Sequence, residues 1–124
     1  MSKSSLLLKK FSNLDVHSIT CTHKMSITQG TSLTSGVTLH SPVGSINTIP
    51  TNLSMNSTLM FTCANAYVTV NNSIFANIID YSGTSGIPMI TVDNITRGSF
   101  IINVTNDSSV NELNGILRIG FLVL

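Results

Sequence analysis

From Val16 onward the chain alternates apolar and polar residues with a period of two. Ile19, Cys21, His23, Met25 and Ile27 are interleaved with Thr20, Thr22, Lys24, Ser26 and Thr28. Successive side chains of a β-strand point to opposite faces, so this run reads as a half-buried strand, closed by Gln29-Gly30. Similar runs follow at Val37 and Leu39, over residues 43–49, and over residues 58–63, where Leu59, Phe61 and Cys63 share a face. Residues 67–70, 73–81, 89–92, 99–104 and 116–124 are richer still in β-branched and aromatic side chains, which suit a pleated and packed surface. Pro42, Pro50, Asn71-Asn72, the stretch 82–86, Arg97-Gly98 and Asn114-Gly115 fall between the runs and supply turn chemistry there. The pattern predicts an all-β fold, an antiparallel β-sandwich of about eight strands with jelly-roll or immunoglobulin-like connectivity.

Residues 1–15 do not alternate. Ser-Lys-Ser-Ser-Leu-Leu-Leu-Lys-Lys-Phe holds three of the six Lys and Arg residues, and it reads either as one or two helical turns with Leu7, Leu8 and Phe11 on one side or as an extended arm. The expected organisation is therefore an N-terminal arm, residues 1–15, and a single sandwich domain, residues 16–124. The arm is a candidate tether to a neighbouring subunit, against the plainer reading of a free terminus.

Two runs have no polar face. In residues 73–81, Ile74, Ala76 and Ile78 are read as facing one way and Phe75, Ile79 and Tyr81 the other; in the last run Leu117, Ile119, Phe121 and Val123 fill the core and leave Ile116, Leu122 and Leu124 opposite, beside Arg118. An antiparallel sheet of a free monomer normally keeps one wet face, and an uncovered apolar face marks an interaction surface. Ile116, Leu122 and Leu124 are the expected interface, with Ile74 and Ile78 as second choices.

Composition strengthens that expectation. Of the 124 residues 42% are hydrophobic and 9% charged, where a soluble domain carries roughly 25% charged residues, so little keeps copies apart. A net charge of +1 gives no field to hold nucleic acid or an anionic bilayer. No apolar run approaches the ~18 residues of a membrane span, and the short leucine run precedes its lysines, unlike a signal peptide. Cys21 and Cys63 form neither a disulfide framework nor a zinc signature and read as buried free thiols, with a bridge between them the less favoured alternative.

Catalytic chemistry is sparse. Asp80 ends an apolar run beside a glycine-rich turn, where it would bind the amides of that turn in preference to acting as a base or metal ligand. His17, Cys21 and His23 fall on one strand face and have ligand chemistry for zinc, yet an inward, satisfied histidine is the preferred reading, and His40 reads as a loop residue. Residues 83–86 lack the G-x-S-x-G elbow. The N-x-[ST] triplets at Asn52, Asn56, Asn71, Asn94, Asn103 and Asn106 follow from a chain full of Asn, Ser and Thr. No enzyme activity, cofactor or metal is expected.

Three separated blocks carry a resemblance. Gly36-Val37-Thr38-Leu39-His40-Ser41-Pro42-Val43-Gly44-Ser45-Ile46-Asn47-Thr48, Ile78-Ile79-Asp80-Tyr81-Ser82-Gly83-Thr84-Ser85-Gly86-Ile87-Pro88, and Leu113-Asn114-Gly115-Ile116-Leu117-Arg118-Ile119-Gly120-Phe121 resemble small structural proteins in virions of large double-stranded DNA viruses and tailed phages. The resemblance covers roughly residues 30–124 and leaves the N-terminal segment unmatched. It implies a non-enzymatic β-sandwich, trimeric, acting as a capsid decoration, cement or minor capsid protein that binds its own copies and other capsid proteins in the virion. The competing expectation is a carbohydrate- or receptor-binding head of a viral fibre, using the loop Tyr81, Ser82, Thr84 and Ser85 and the loop 107–114, with Tyr67 or Tyr81 to stack on a sugar.

Overall fold

The computed structural model describes residues 25–124. The arm, His17, Cys21, His23 and most of the first predicted strand lie outside the described residues. The elements, in order, are β1 (Met25–Thr28), β2 (Val37–Thr38), β3 (Val43–Asn47), β4 (Thr58–Ala64), β5 (Ile74–Tyr81), β6 (Pro88–Thr96), β7 (Ser99–Asn106) and β8 (Leu117–Val123). They form two four-stranded sheets, ordered β1-β3-β8-β5 and β2-β4-β7-β6, that share one hydrophobic core. The chain is thus all-β and sandwich-like.

Two features depart from the expected pattern. First, the sheets are mixed: β1 runs parallel to β3 and β2 parallel to β4, while the remaining pairs are antiparallel. Through β5 the chain alternates between sheets with each strand, so β1 returns as β3 in the same direction after a crossover through β2. Only β6 and β7 form a hairpin within one sheet, and the order differs from the ABED over CFG of an immunoglobulin domain. Second, residues 67–70 make turns. Asn65, fully buried, accepts from the Tyr67 amide at 3.0 Å and donates to the Ser41 carbonyl at 2.7 Å, while Asn72 accepts from the Thr69 amide. These side chains offer the backbone a local alternative to a ladder, and Val68 is left pointing into the core.

The alternation in sequence becomes burial. Phe100, Ile102 and Val104 of β7 face Ile119, Phe121 and Val123 of β8 across the sandwich as part of one core. Phe100 and Phe121 join the sheets edge to face, with ring centroids 5.5 Å apart and planes at 62°. Gly44 makes room for this pair: a Cβ there would meet the Phe121 ring at 2.8 Å and Leu39 Cδ2 at 2.6 Å. At one end, buried Asn106 accepts from the Ile87 and Ser108 amides and donates to the carbonyls of Leu53, Ser54 and Asn111. One side chain thereby ties three loops without leaving a polar atom unpaired.

Candidate interaction surface

β5 is the outermost strand of its sheet and β6 of the other, and the two face each other along one side of the sandwich. Ile74, Ala76, Ile78 and Tyr81 of β5 and Ile90, Val92 and Ile95 of β6 pack against the core yet remain only partly buried. On β7 and β8, one strand further in, the corresponding inward residues are buried. The contrast locates a partly buried apolar seam where the two outermost strands meet.

The two faces of β5 are not divided as the alternation suggests. A bulge between Ile78 and Asp80 breaks the register with β8, and the extra residue reverses the parity that follows it. Ile79 and Asp80 are therefore both exposed, and Tyr81 turns inward. Ile74 and Ile78, the second choices for an interface, face the core along the seam. The outer face belongs to Phe75, 59% exposed, and Ile79, 42% exposed.

One row of that outer face is apolar, while the next two, Ser45, Gly120 and Asn77 and then Asn47, Arg118 and Asp80, are polar apart from the glycine. Val43, Leu122 and Phe75 are register neighbours across β3, β8 and β5, and Leu124 continues the same face at 59% exposure. Ile79 lies over Gly120, where an added Cβ would approach its Cδ1 to 2.8 Å. Ile116 is exposed at the opposite end, beyond Arg118, which pairs in register with Asp80. The other sheet presents a different outer face: Thr58 and Thr105 share a 2.8 Å hydrogen bond, and Asn103 donates to Thr91 at 3.2 Å. Met60, Met89 and Ile101 interrupt this polar network.

The loop 82–87 spends its polar groups on itself. Tyr81 Oη donates to the Ser85 carbonyl at 2.6 Å and accepts from the Asn114 amide at 2.8 Å. Asn114 Oδ1 accepts from the amides of Thr84 and Ser85, Asn114 Nδ2 donates to Thr84 Oγ1, and Ser82 Oγ accepts from the Ile116 amide. Asn114, not Asp80, is thus the side chain that holds the turn amides. Tyr81, Ser82, Thr84 and Ser85 are occupied in joining this loop to the approach of β8. Tyr67 is exposed at the other end of the sandwich.

Other candidate groups are equally local. His40 Nδ1 accepts from the Ala66 amide at 3.0 Å. Cys63 is a free, buried thiol, and burial pushes its pKa from 9.0 up to about 12. Among the described residues no three metal-ligating side chains come together, and no helix is long and apolar enough to cross a membrane.

The structure also brings the three blocks of the resemblance together. Thr48 Oγ1 of the first accepts from the Leu117 amide of the third at 3.0 Å. Gly83 of the second lies so close to Gly115 of the third that a Cβ on either would collide. Comparison with protein families, characterised proteins and solved structures finds no match.

Proposed function

We propose that this chain is a structural subunit of a virion: a non-enzymatic capsid decoration, cement or minor capsid protein that associates with its own copies, with a trimer as the expected assembly, and with neighbouring capsid proteins. The observation that carries this reading is the partly buried seam between β5 and β6, continuous through β5 with the outer row Val43, Leu122, Phe75 and Leu124. Apolar side chains left partly uncovered along the seam and on the outer row are the kind of surface through which copies associate. With only 9% charged residues in the chain, little repels a second copy. The resemblance in three blocks supports the virion as the setting. In the loop 82–87 the Tyr81 and Ser82 hydroxyls and the amides of Thr84 and Ser85 are engaged with the segment 114–116, which disfavours the glycan-binding alternative at that loop.

Light scattering across a dilution series tests the association directly. A stable trimer or larger species supports the reading, and a monomer at all concentrations overturns it. Replacing both Leu122 and Leu124 by Ser is expected to dissociate the assembly while leaving the circular dichroism spectrum and a cooperative urea transition in place; an unchanged oligomer removes these two residues from the interface.

A further inference from the structure

Three of the four sheet edges are blunted and one is not. An exposed strand edge offers a row of unpaired N–H and C=O groups to another chain, and proteins guard such edges with short strands, proline, lysine or bulges. Among the described residues β1 and β2 run for four and two residues. β6 begins at Pro88, which has no N–H, and its ladder is broken between Asp93 and Thr96. β5 has neither proline nor lysine, and its bulge comes only after Ile78. The start of β5 fixes which of its backbone groups point outward. Ser73 and Leu124 exchange both backbone hydrogen bonds, at 3.0 and 2.8 Å, so Phe75 and Asn77, further along the same ladder, also bond to β8. The N–H and C=O groups of Ile74, Ala76 and Ile78 therefore point away from β8, and among the described residues no hydrogen bond reaches them.

This free row matches itself. We propose that β5 pairs antiparallel with β5 of a second copy about a two-fold axis at Ala76, joining two four-stranded sheets edge to edge. Ile74 then stands opposite Ile78 of the second copy and Ala76 opposite its own equivalent, and these pairs exchange on the order of six hydrogen bonds. On the inner face isoleucine meets isoleucine on both sides of a small residue, which adds cover to the half-buried Ile74 and Ile78. An axis one residue to either side sets Ile78 opposite Asn72 or Ile74 opposite Asp80, and loses that match. The second copy is favoured over residues 1–24 of the same chain because Ile19, Cys21 and His23 continue the alternation of β1, and β1 lies at the opposite edge of the sheet, beyond β3 and β8. The inference rests on the self-association proposed above and gives it a register. Such an isologous contact joins copies two at a time, so trimers carry it only between one trimer and another.

The test uses full-length chains in a Cys21→Ser background, where Cys63 is buried. In the proposed register Phe75 faces Asn77 of the second copy as a pair without mutual hydrogen bonds, whose Cα atoms stand about 4.5 Å apart, within disulfide range. Chains carrying Phe75→Cys and chains carrying Asn77→Cys are mixed under mild oxidation. The expected product is a disulfide-linked pair of unlike chains, several-fold in excess of like pairs, because like positions are out of step across the axis. Ala76→Pro removes an N–H that β8 does not use and denies it to the second copy. That variant is expected to be monomeric by light scattering with its circular dichroism spectrum and cooperative urea transition kept; if it fails to fold, the disulfide pattern decides alone. The unaltered chain should show an even number of copies. An odd-numbered assembly, an oligomer without the mixed disulfide, or one that survives Ala76→Pro overturns the β5 pairing and leaves the self-association standing. A monomer of the unaltered chain overturns both.

Discussion

Replacing Asn114 by Ala removes the acceptor for the amides of Thr84 and Ser85 and the donor to Thr84 Oγ1 in one step. Because the site is solvent-exposed, water offsets part of the loss, and a destabilisation of about 2 kcal/mol is expected by urea titration. The adjoining glycines give a second measurable contrast. A Cβ at Gly115 would strike the backbone of Gly83, whereas one at Gly44 would strike the side chains of Leu39 and Phe121, which can turn aside. Gly44→Ala should therefore cost about 1–2 kcal/mol, and Gly115→Ala about 3 kcal/mol or more. At Cys63 the sign follows from the raised pKa: above pH 9.0 the unfolded thiol ionises, while the folded one keeps its proton until about 12. Stability should fall by about 1.4 kcal/mol per pH unit in that window from this group, as a drop in urea midpoint from pH 9 to pH 11 that Cys63→Val abolishes. Core positions such as these are legible in the sequence from parity alone. The preference for Asn114 over Asp80 is not, because Asn114 reaches the turn amides from 29 and 30 positions away in the chain.

At the scale of elements, alternation makes the strands readable wherever each is uninterrupted, as in β7, whose burial alternates along its whole length. It fails at two places for the same physical reason, a local backbone feature that periodicity does not register. The bulge in β5 inverts the faces after Ile78, and the side chains of Asn65 and Asn72 fold residues 67–70 into turns. The consequence for the candidate interface is that β5 contributes Phe75 and Ile79 outward and Ile74 and Ile78 along the seam. A Phe75→Ser, Ile79→Ser double variant should keep its stability to within about 1 kcal/mol, since both side chains are already exposed. Its association should weaken at least tenfold, measured by the concentration at which light scattering shows half-dissociation. Native stability with unchanged association would remove the outer face of β5 from the contact.

For the whole molecule, the fold class is readable in the sequence but the strand order is not, because pairing β3 with β8 or β1 with β3 is decided by distant partners. An assembly held by the seam and the outer row would join apolar surfaces carrying few charges, so salt has little to screen. Its dissociation constant should change less than about threefold between roughly 0.05 and 0.5 M salt, whereas a contact between charged patches would weaken strongly over that range.

The position of β8 has a consequence for synthesis. It is the last of the eight strands in chain order, yet it lies inside its sheet as the only link between β3 and β5. While the chain emerges from a ribosome, β4, β6 and β7 can pair as soon as residue 106 is clear. In the opposite sheet β1 and β3 can pair, but β5 cannot join them until Leu117–Val123 arrives, and until then the residues of β8 are missing from the core. Nascent chains stalled before residue 117 should bind hydrophobic-surface dyes and yield to protease, and chains released past residue 124 should not. That interval sets the exposure to aggregation, and it ends only when β8 inserts between two strands that are already waiting.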